Sequence, residues 1–337
     1  MADISLSEAE KRYIVDGVKL GIRVDGRERL DYRQLEIETG LVSTANGSAR
    51  VRLGCTDVLI TVKMEMEPPP PQQPNDGQIH FFVNCSANAA PEFEGRGGED
   101  LATSLSAMLD RLYSSPLSLD TSRLCVVPGK HVKVLYVDVE ILECGGNLFD
   151  TVSLGVKAAL WATRMPRIYI TGEDGGELEF MVSDNPQEVD RVDVSNAPIL
   201  ITHLRITENL TVIDPTPEEE CCGPVQVVVG VTPKGLITTT QQLGAGTFAP
   251  QTLSASLKIR LSSLEAEVGR LQHRGRQLDH HLSRVLAQGS LLTSTIDDFH
   301  LRLDALARSH KALTRAAQQN PKPSGYCVKN HGEVISD

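Results

Sequence analysis

The chain has 337 residues, 40% hydrophobic and 23% charged, enough to bury a full core as one large domain or two ordinary ones. Its formal charge of −11 argues against a protein that holds nucleic acid by itself, because that affinity comes largely from Lys and Arg neutralising phosphates. No apolar run approaches the roughly 20 residues of a membrane span, and the opening MADISLSEAEKRY has neither region of a secretory signal, so the expected home is the cytosol or nucleus.

In chain order, GSARVRLG (Gly47 to Gly54) and TDVLITVKMEM (Thr56 to Met66) are β-rich runs joined at a Gly-containing turn, which predicts a hairpin. The prolines of PPPPQQPNDG (Pro68 to Gly77) cannot continue a strand, so a surface loop is expected there rather than a proline-rich recognition ligand. Leu101, Leu105, Met108, Leu109 and Leu112 repeat at helical spacing, as do Val152, Val156, Ala159 and Leu160. Between these helices, KVLYVDVEIL alternates, with Leu135, Val137, Val139 and Ile141 on one face and Tyr136, Asp138 and Glu140 on the other. PILITHLRI, LTVIDP, VQVVVGV and GLITTTQQL supply strands toward Leu243. Strands followed by a helix, twice, predict an α+β domain of two similar halves.

Beyond Thr252 the texture changes: the balance turns from 21 basic against 36 acidic residues to 12 against 8, which places a boundary there. Leu257, Leu261, Leu264, Val268, Leu271, Leu278, Leu282 and Val285 form a helical stripe that resumes from Leu292 to Leu313, with Gly289 and Ser290 as a break. The stripe needs a helical partner, either its own domain or another chain. Three segments are therefore expected: 1–252 globular, 253–318 helical or coiled coil, and 319–337 polar and disordered. The seven cysteines, Cys55, Cys85, Cys125, Cys144, Cys221, Cys222 and Cys327, include no CxxC pair, and read as free, mostly buried thiols rather than metal ligands. No cofactor is expected.

Four stretches carry a resemblance: VDGRERLDYRQLEIETG, GSARVRLGCTDVLITVKMEM, FFVNCSANAAPEFEGRGGED and LYVDVEILECGGNLFDTVSLGVKAAL. They resemble the RNase PH-like subunits of the eukaryotic RNA exosome ring, of the non-catalytic kind, over residues 24–246; the tail does not. The resemblance implies an RNase PH-like (ribosomal protein S5 domain 2-like) core of mixed sheets and helices. It also implies other RNase PH-like subunits in a hexameric ring, S1 and KH cap proteins on one face, RNA in the channel, and a home in nucleus, nucleolus and cytoplasm.

Phosphorolysis needs positive charge and directed donors where inorganic phosphate meets an RNA phosphodiester. In active relatives a GGTR-type turn supplies Thr and Arg, followed closely by a phosphate-binding hydroxyl. Here the turn reads Gly145, Gly146, Asn147, Leu148, Phe149, Asp150, Thr151, with Leu148 at the Arg position and Asp150 adding negative charge where phosphate would sit. Thr151 keeps a hydroxyl, but reads first as a helix N-cap. A tandem Arg pair of active relatives is matched by Gly95 to Asp100, with Arg96 alone among two acids. Their acidic run survives as Asp214, Glu218, Glu219 and Glu220, read here as a solvated loop lacking Arg partners, while their general-acid or metal-associated aspartate is matched by Gln226, which has no carboxyl proton to give.

The expectation is a non-catalytic ring subunit that supports 3′–5′ RNA processing and degradation and helps form the channel, with no catalytic residue and no metal. Arg96, Arg111, Arg123 and Lys130 are the candidate RNA contacts; for each alone, the plainer reading is a solvated or ion-paired side chain. An active phosphate-dependent exoribonuclease, and a coiled-coil interaction protein on an RNase PH-like platform, remain the alternatives.

Overall fold

The computed structural model describes residues 6–171 and 179–247, apart from 184, 186 and 209. The chain divides into two units, 1–265 and 266–337, and all described residues belong to the first. The leucine stripe, the polar end and Cys327 lie outside the described residues.

Helix α1 (Glu8–Lys19) starts on a capping box: the Ser7 hydroxyl accepts the Glu10 N–H while the Glu10 carboxylate accepts the Ser7 N–H. Strands β1 (Leu35–Thr39), β2 (Gly47–Leu53), β3 (Thr56–Glu67) and β4 (Gln78–Cys85) precede helix α2 (Glu99–Tyr113). Strands β5 (Cys125–Val127) and β6 (His131–Glu143) then lead into helix α3 (Leu148–Ala162). Four short strands follow, β7 (Arg164–Pro166), β8 (Ile168–Thr171), β9 (Glu179–Val182) and β10 (Val189–Arg191). The described chain continues through β11 (Ile199–Thr207), β12 (Leu210–Ile213), helix α4 (Pro217–Cys222), β13 (Val225–Val231) and β14 (Ile237–Gly244).

The hairpin expected from the sequence is the middle of the larger sheet, ordered β1-β2-β3-β6-β4, with β5 also on β6; β4 runs parallel to β6 and the remaining pairs are antiparallel. Alternation in β6 decides which face is covered. Leu135, Val137, Val139 and Ile141 are at most 1% exposed and turn toward the helices, leaving Tyr136, Asp138 and Glu140 on the other face. The second sheet, ordered β12-β11-β13-β14, is wholly antiparallel. Helix α3 packs on β1, β2 and β3 and also on β11, and α2 packs on β4 and β14, so the two helices lie between the sheets. Among the described residues both long helices follow strands of the first sheet, and the six-residue α4 lies between strands of the second. Pro68 to Gly77 is a loop, as its prolines require. Among the described cysteines none is disulfide-bonded; Cys55 is exposed and the others are half-buried rather than buried, because most sit at strand and helix ends rather than on inward faces.

Gly155 lets α3 approach the sheet. A Cβ there would lie 2.3 Å from Ile60 Cδ1 and 3.4 Å from Val51 Cγ2. Gly155→Ala is therefore expected to lower stability by about 1–3 kcal/mol through overpacking, although helix propensity alone would favour Ala by about 1 kcal/mol. Urea unfolding of both proteins decides the sign.

Candidate functional site

After β6 the chain turns through Gly145 and Gly146 into α3. Gly146 adopts φ +80°, and a Cβ there would fall 2.8 Å from the Pro215 carbonyl oxygen. Asn147 is left-handed at φ 52°, a conformation asparagine tolerates, and occupies the N-cap position of α3. Its side chain does not cap the helix. Nδ2 donates to Asp214 Oδ1 at 2.8 Å and to Asp150 Oδ2 at 3.1 Å, and the backbone N–H donates to Glu220 Oε1 at 2.9 Å.

That arrangement corrects two expectations. Thr151 is not the N-cap: it lies one turn inside α3, fully buried, and its hydroxyl donates to the Asn147 carbonyl at 2.9 Å. Asp150 does not place charge in an open site. It is fully buried and accepts from the Tyr32 hydroxyl at 2.7 Å and the Thr202 hydroxyl at 2.7 Å, because the first turn of α3 points it toward β11. Burial pushes its carboxyl up to about 6, against the hydrogen bonds that favour the charged form.

The acidic run is likewise not a solvated loop. Glu218 is exposed, but Asp214 and Glu219 are buried and paired with arginines from the N-terminal segment. Asp214 accepts from Arg33 Nη2 at 2.7 Å, Nε at 3.0 Å and N–H at 2.7 Å, and from Arg27 Nη1 at 2.9 Å. Burial alone would raise this carboxyl, and the Arg33 hydrogen bonds outweigh it and hold it below the usual carboxylate range. Arg23, itself 2% exposed, grips Glu219 with Nε at 2.8 Å and Nη2 at 2.5 Å, and donates to the backbone carbonyls of Ile213 at 3.0 Å and Asp214 at 2.8 Å. Sequence reasoning places Arg23, Arg27 and Arg33 inside VDGRERLDYR and its flank without connecting them to acids some 190 residues away. Their signal is an excess of arginine in a segment with no helical or strand period.

Beside the turn opens a cavity of about 400 Å³ whose lining includes Phe93, Asp100, Leu101, Asn147, Leu148, Glu220 and Gln226, with no Lys or Arg among the described residues. Leu148, at the position where the resemblance puts an arginine, is 6% exposed. Glu220 is pushed up by burial, partly offset by the Asn147 N–H it accepts. Gln226 sits on β13, 3% exposed, with no hydrogen-bond partner for Nε2 among the described residues. A helix N-terminus is an anion site when its N–H groups are open. At this one, the chain's own Glu220 takes the Asn147 N–H.

Of the candidate RNA contacts, Arg96 and Arg111 are held apart by the length of α2. Arg96 precedes α2 and Arg111 lies in its last turn, so the two are about 20 Å apart along the helix. Arg96 is 90% exposed with Glu99 at 3.6 Å. Arg111 donates to the Ala107 carbonyl at 3.2 Å and to Gln241. Arg123 pairs with Asp120 at 3.2 Å and Asp193 at 3.4 Å, and Lys130 is exposed at the turn into β6. No helix of the described residues is long and apolar enough to cross a membrane.

Comparison with known proteins gives a consistent result. Residues 31–166 match the 3′ exoribonuclease family, domain 1, and residues 196–263 match domain 2 of that family. A Dictyostelium discoideum protein provisionally named exosome complex exonuclease RRP42 is 35% identical, covering 74% of this chain and 91% of that protein. The exosome complex component Rrp42 of Thermococcus kodakarensis is 34% identical, covering 74% of this chain and 89% of its own length. Among solved structures, a chain of the Archaeoglobus fulgidus exosome with RNA bound to the active site superimposes with a TM-score of 0.65 at 24% identity, covering 78% of this chain and 98% of that one. A chain of an archaeal exosome core gives a TM-score of 0.60.

Proposed function

The chain belongs to the 3′ exoribonuclease (RNase PH) family, and from that membership and its site we propose that it is a non-catalytic structural subunit of an RNA exosome core ring. In this role it supports 3′–5′ RNA processing and degradation by holding neighbouring RNase PH-like subunits in a hexameric ring, carrying S1 and KH caps and walling part of the RNA channel. The relatives' names support the assembly, and nucleus, nucleolus and cytoplasm are the compartments that go with it.

One observation carries the non-catalytic reading. Among the described residues the cavity beside the α3 turn is lined by Asp100 and Glu220 without any Lys or Arg, while nearby Arg23, Arg27 and Arg33 are held by buried Asp214 and Glu219. Inorganic phosphate and an RNA phosphodiester bring several negative charges together, and a site of this composition repels them. Gln226 offers no carboxyl proton to a leaving group. Arg96, Arg111, Arg123 and Lys130 are assigned to RNA contact within the ring, where partners supply the remaining positive charge.

Purified full-length chain, alone and combined with its ring partners, should be incubated with single-stranded RNA and inorganic phosphate. The chain alone is expected to release no nucleoside diphosphate and to retain RNA poorly in filter binding, while the assembly retains it well. Phosphate-dependent release by the chain alone overturns the non-catalytic reading, and tight RNA binding by the chain alone overturns the shared-channel reading.

A further inference from the structure

The face of the larger sheet turned away from the helices carries a row of aromatic rings that neither the site nor the fold uses. His80 and Phe82 on β4 flank Tyr136 on β6: the His80 and Tyr136 centroids are 5.6 Å apart with planes at 29°, and Phe82 and Tyr136 are 6.2 Å apart at 25°. Phe82 is 55% exposed, and β4 is the outermost strand of its sheet. Carboxylates surround the row. Glu65 and Glu67 stand on β3 and Asp138 and Glu140 on β6, against Lys63 as the single cation among them. Three of the four are already engaged. Glu67 accepts from the Tyr136 hydroxyl, Glu140 from Asn84 Nδ2 at 2.9 Å, and Glu65 lies 3.9 Å from Lys63. Asp138, opposite Phe82 in register and exposed, makes no hydrogen bond or ion pair within the described residues. Farther across the same face Arg50 and Arg52 are committed to Asp57.

We propose that this aromatic row with its open Asp138 is a docking surface for an arginine-bearing segment of a protein partner. A planar guanidinium stacks on Tyr and Phe faces and pairs with a carboxylate through its N–H fork, which an ammonium does not match. Four carboxylates against one lysine complement a basic segment and repel the phosphates of RNA, which would otherwise find a stacking platform in three rings. Exposed aromatics inside a charged rim are also the composition of a protein interface rather than of ordinary surface.

The test uses the full chain and fluorescence anisotropy of a labelled peptide of Arg-Gly-Gly repeats, a Lys-Gly-Gly peptide of equal charge, and a single-stranded RNA oligonucleotide. The arginine peptide is expected to bind at least about fivefold tighter than the lysine peptide. Phe82→Ala and Asp138→Asn should each remove about fivefold of that affinity, Tyr136→Phe should retain it, and Glu36→Gln, which removes the same charge from β1, should leave it unchanged. Phe82 and Asp138 are exposed, so both variants should keep the parent's thermal transition. No binding of the arginine peptide, equal binding of the two peptides, or equal loss in Phe82→Ala and Glu36→Gln would sink the proposal. RNA binding that falls in Phe82→Ala would do so in favour of a nucleic-acid surface.

Discussion

Asp214→Ala is expected to lower the unfolding free energy of the chain by about 3–5 kcal/mol, the cost of removing one partner from a buried ion pair. Asp214 is fully buried and receives Arg27, Arg33 and Asn147, so its loss leaves Arg33, about one-tenth exposed, without a carboxylate, and leaves Arg27 with Asp25 alone. Arg33 keeps the Gly145 and Gly146 carbonyls, which accept hydrogen bonds but do not neutralise its charge. The backbone adds to the loss: residue 214 has φ 48°, which Asp and Asn tolerate better than Ala. Asp214→Asn should therefore fall between parent and Ala, keeping the turn while losing the charge. Glu218→Ala, on the exposed side of α4, should stay within about 0.5 kcal/mol of the parent. Guanidinium unfolding near neutral pH measures all three. A loss below about 1 kcal/mol for Asp214→Ala would show that water or the backbone satisfies the arginines and that the cluster does not hold the site. Under the proposed non-catalytic role, a change in the activity of the assembled ring on Asp214→Ala would follow the loss of stability and report a disordered turn rather than a missing acid.

Where periodicity is strong, the chain's pattern and its structure agree. Leu135 to Ile141 in β6 and Leu105 to Leu112 in α2 bury the residues their spacing predicts, because one covered face imposes one period. β4 is less legible: Phe81 and Phe82 are adjacent, one buried and one 55% exposed, and two consecutive aromatics erase the alternation. The candidate site is legible in what it lacks and not in what it holds. It is the resemblance, not the residues by themselves, that implies an arginine at Leu148 and an aspartate at Gln226. By contrast, Asp214 and Glu219 read as solvated because charge runs usually are, and only long-range pairing with Arg23, Arg27 and Arg33 reverses that. Asp150 reads as an open charge because the resemblance sets it where phosphate would sit. Its environment is made by Tyr32 and Thr202, 118 and 52 residues away, which no local pattern connects.

Two buried groups on neighbouring elements should oppose each other as pH changes. Burial raises Asp150 from 3.8 to about 6, so its contribution to stability is full below its unfolded value near 4 and is lost as pH rises through about 6. His203, on β11 next to the Thr202 that bonds Asp150, is lowered by burial from 6.5 to about 4, so its contribution is full above 6.5 and is lost as pH falls toward 4. Each displacement corresponds to about 3 kcal/mol, over nearly the same window and with opposite sign. The parent should therefore show a shallower dependence between about pH 4 and 7 than either group alone would impose. Substitution separates them. Asp150→Asn, which cannot ionise, should gain about 3 kcal/mol relative to the parent as pH rises from about 4 to about 7, whatever constant offset its altered hydrogen bonds add. His203→Leu should gain a similar amount relative to the parent as pH falls across the same range. Urea midpoints for the three proteins across that range give the slopes directly. If both variants track the parent in parallel, neither group changes its charge on unfolding in this window, and water must reach Asp150 and His203 well enough to hold both near their ordinary values.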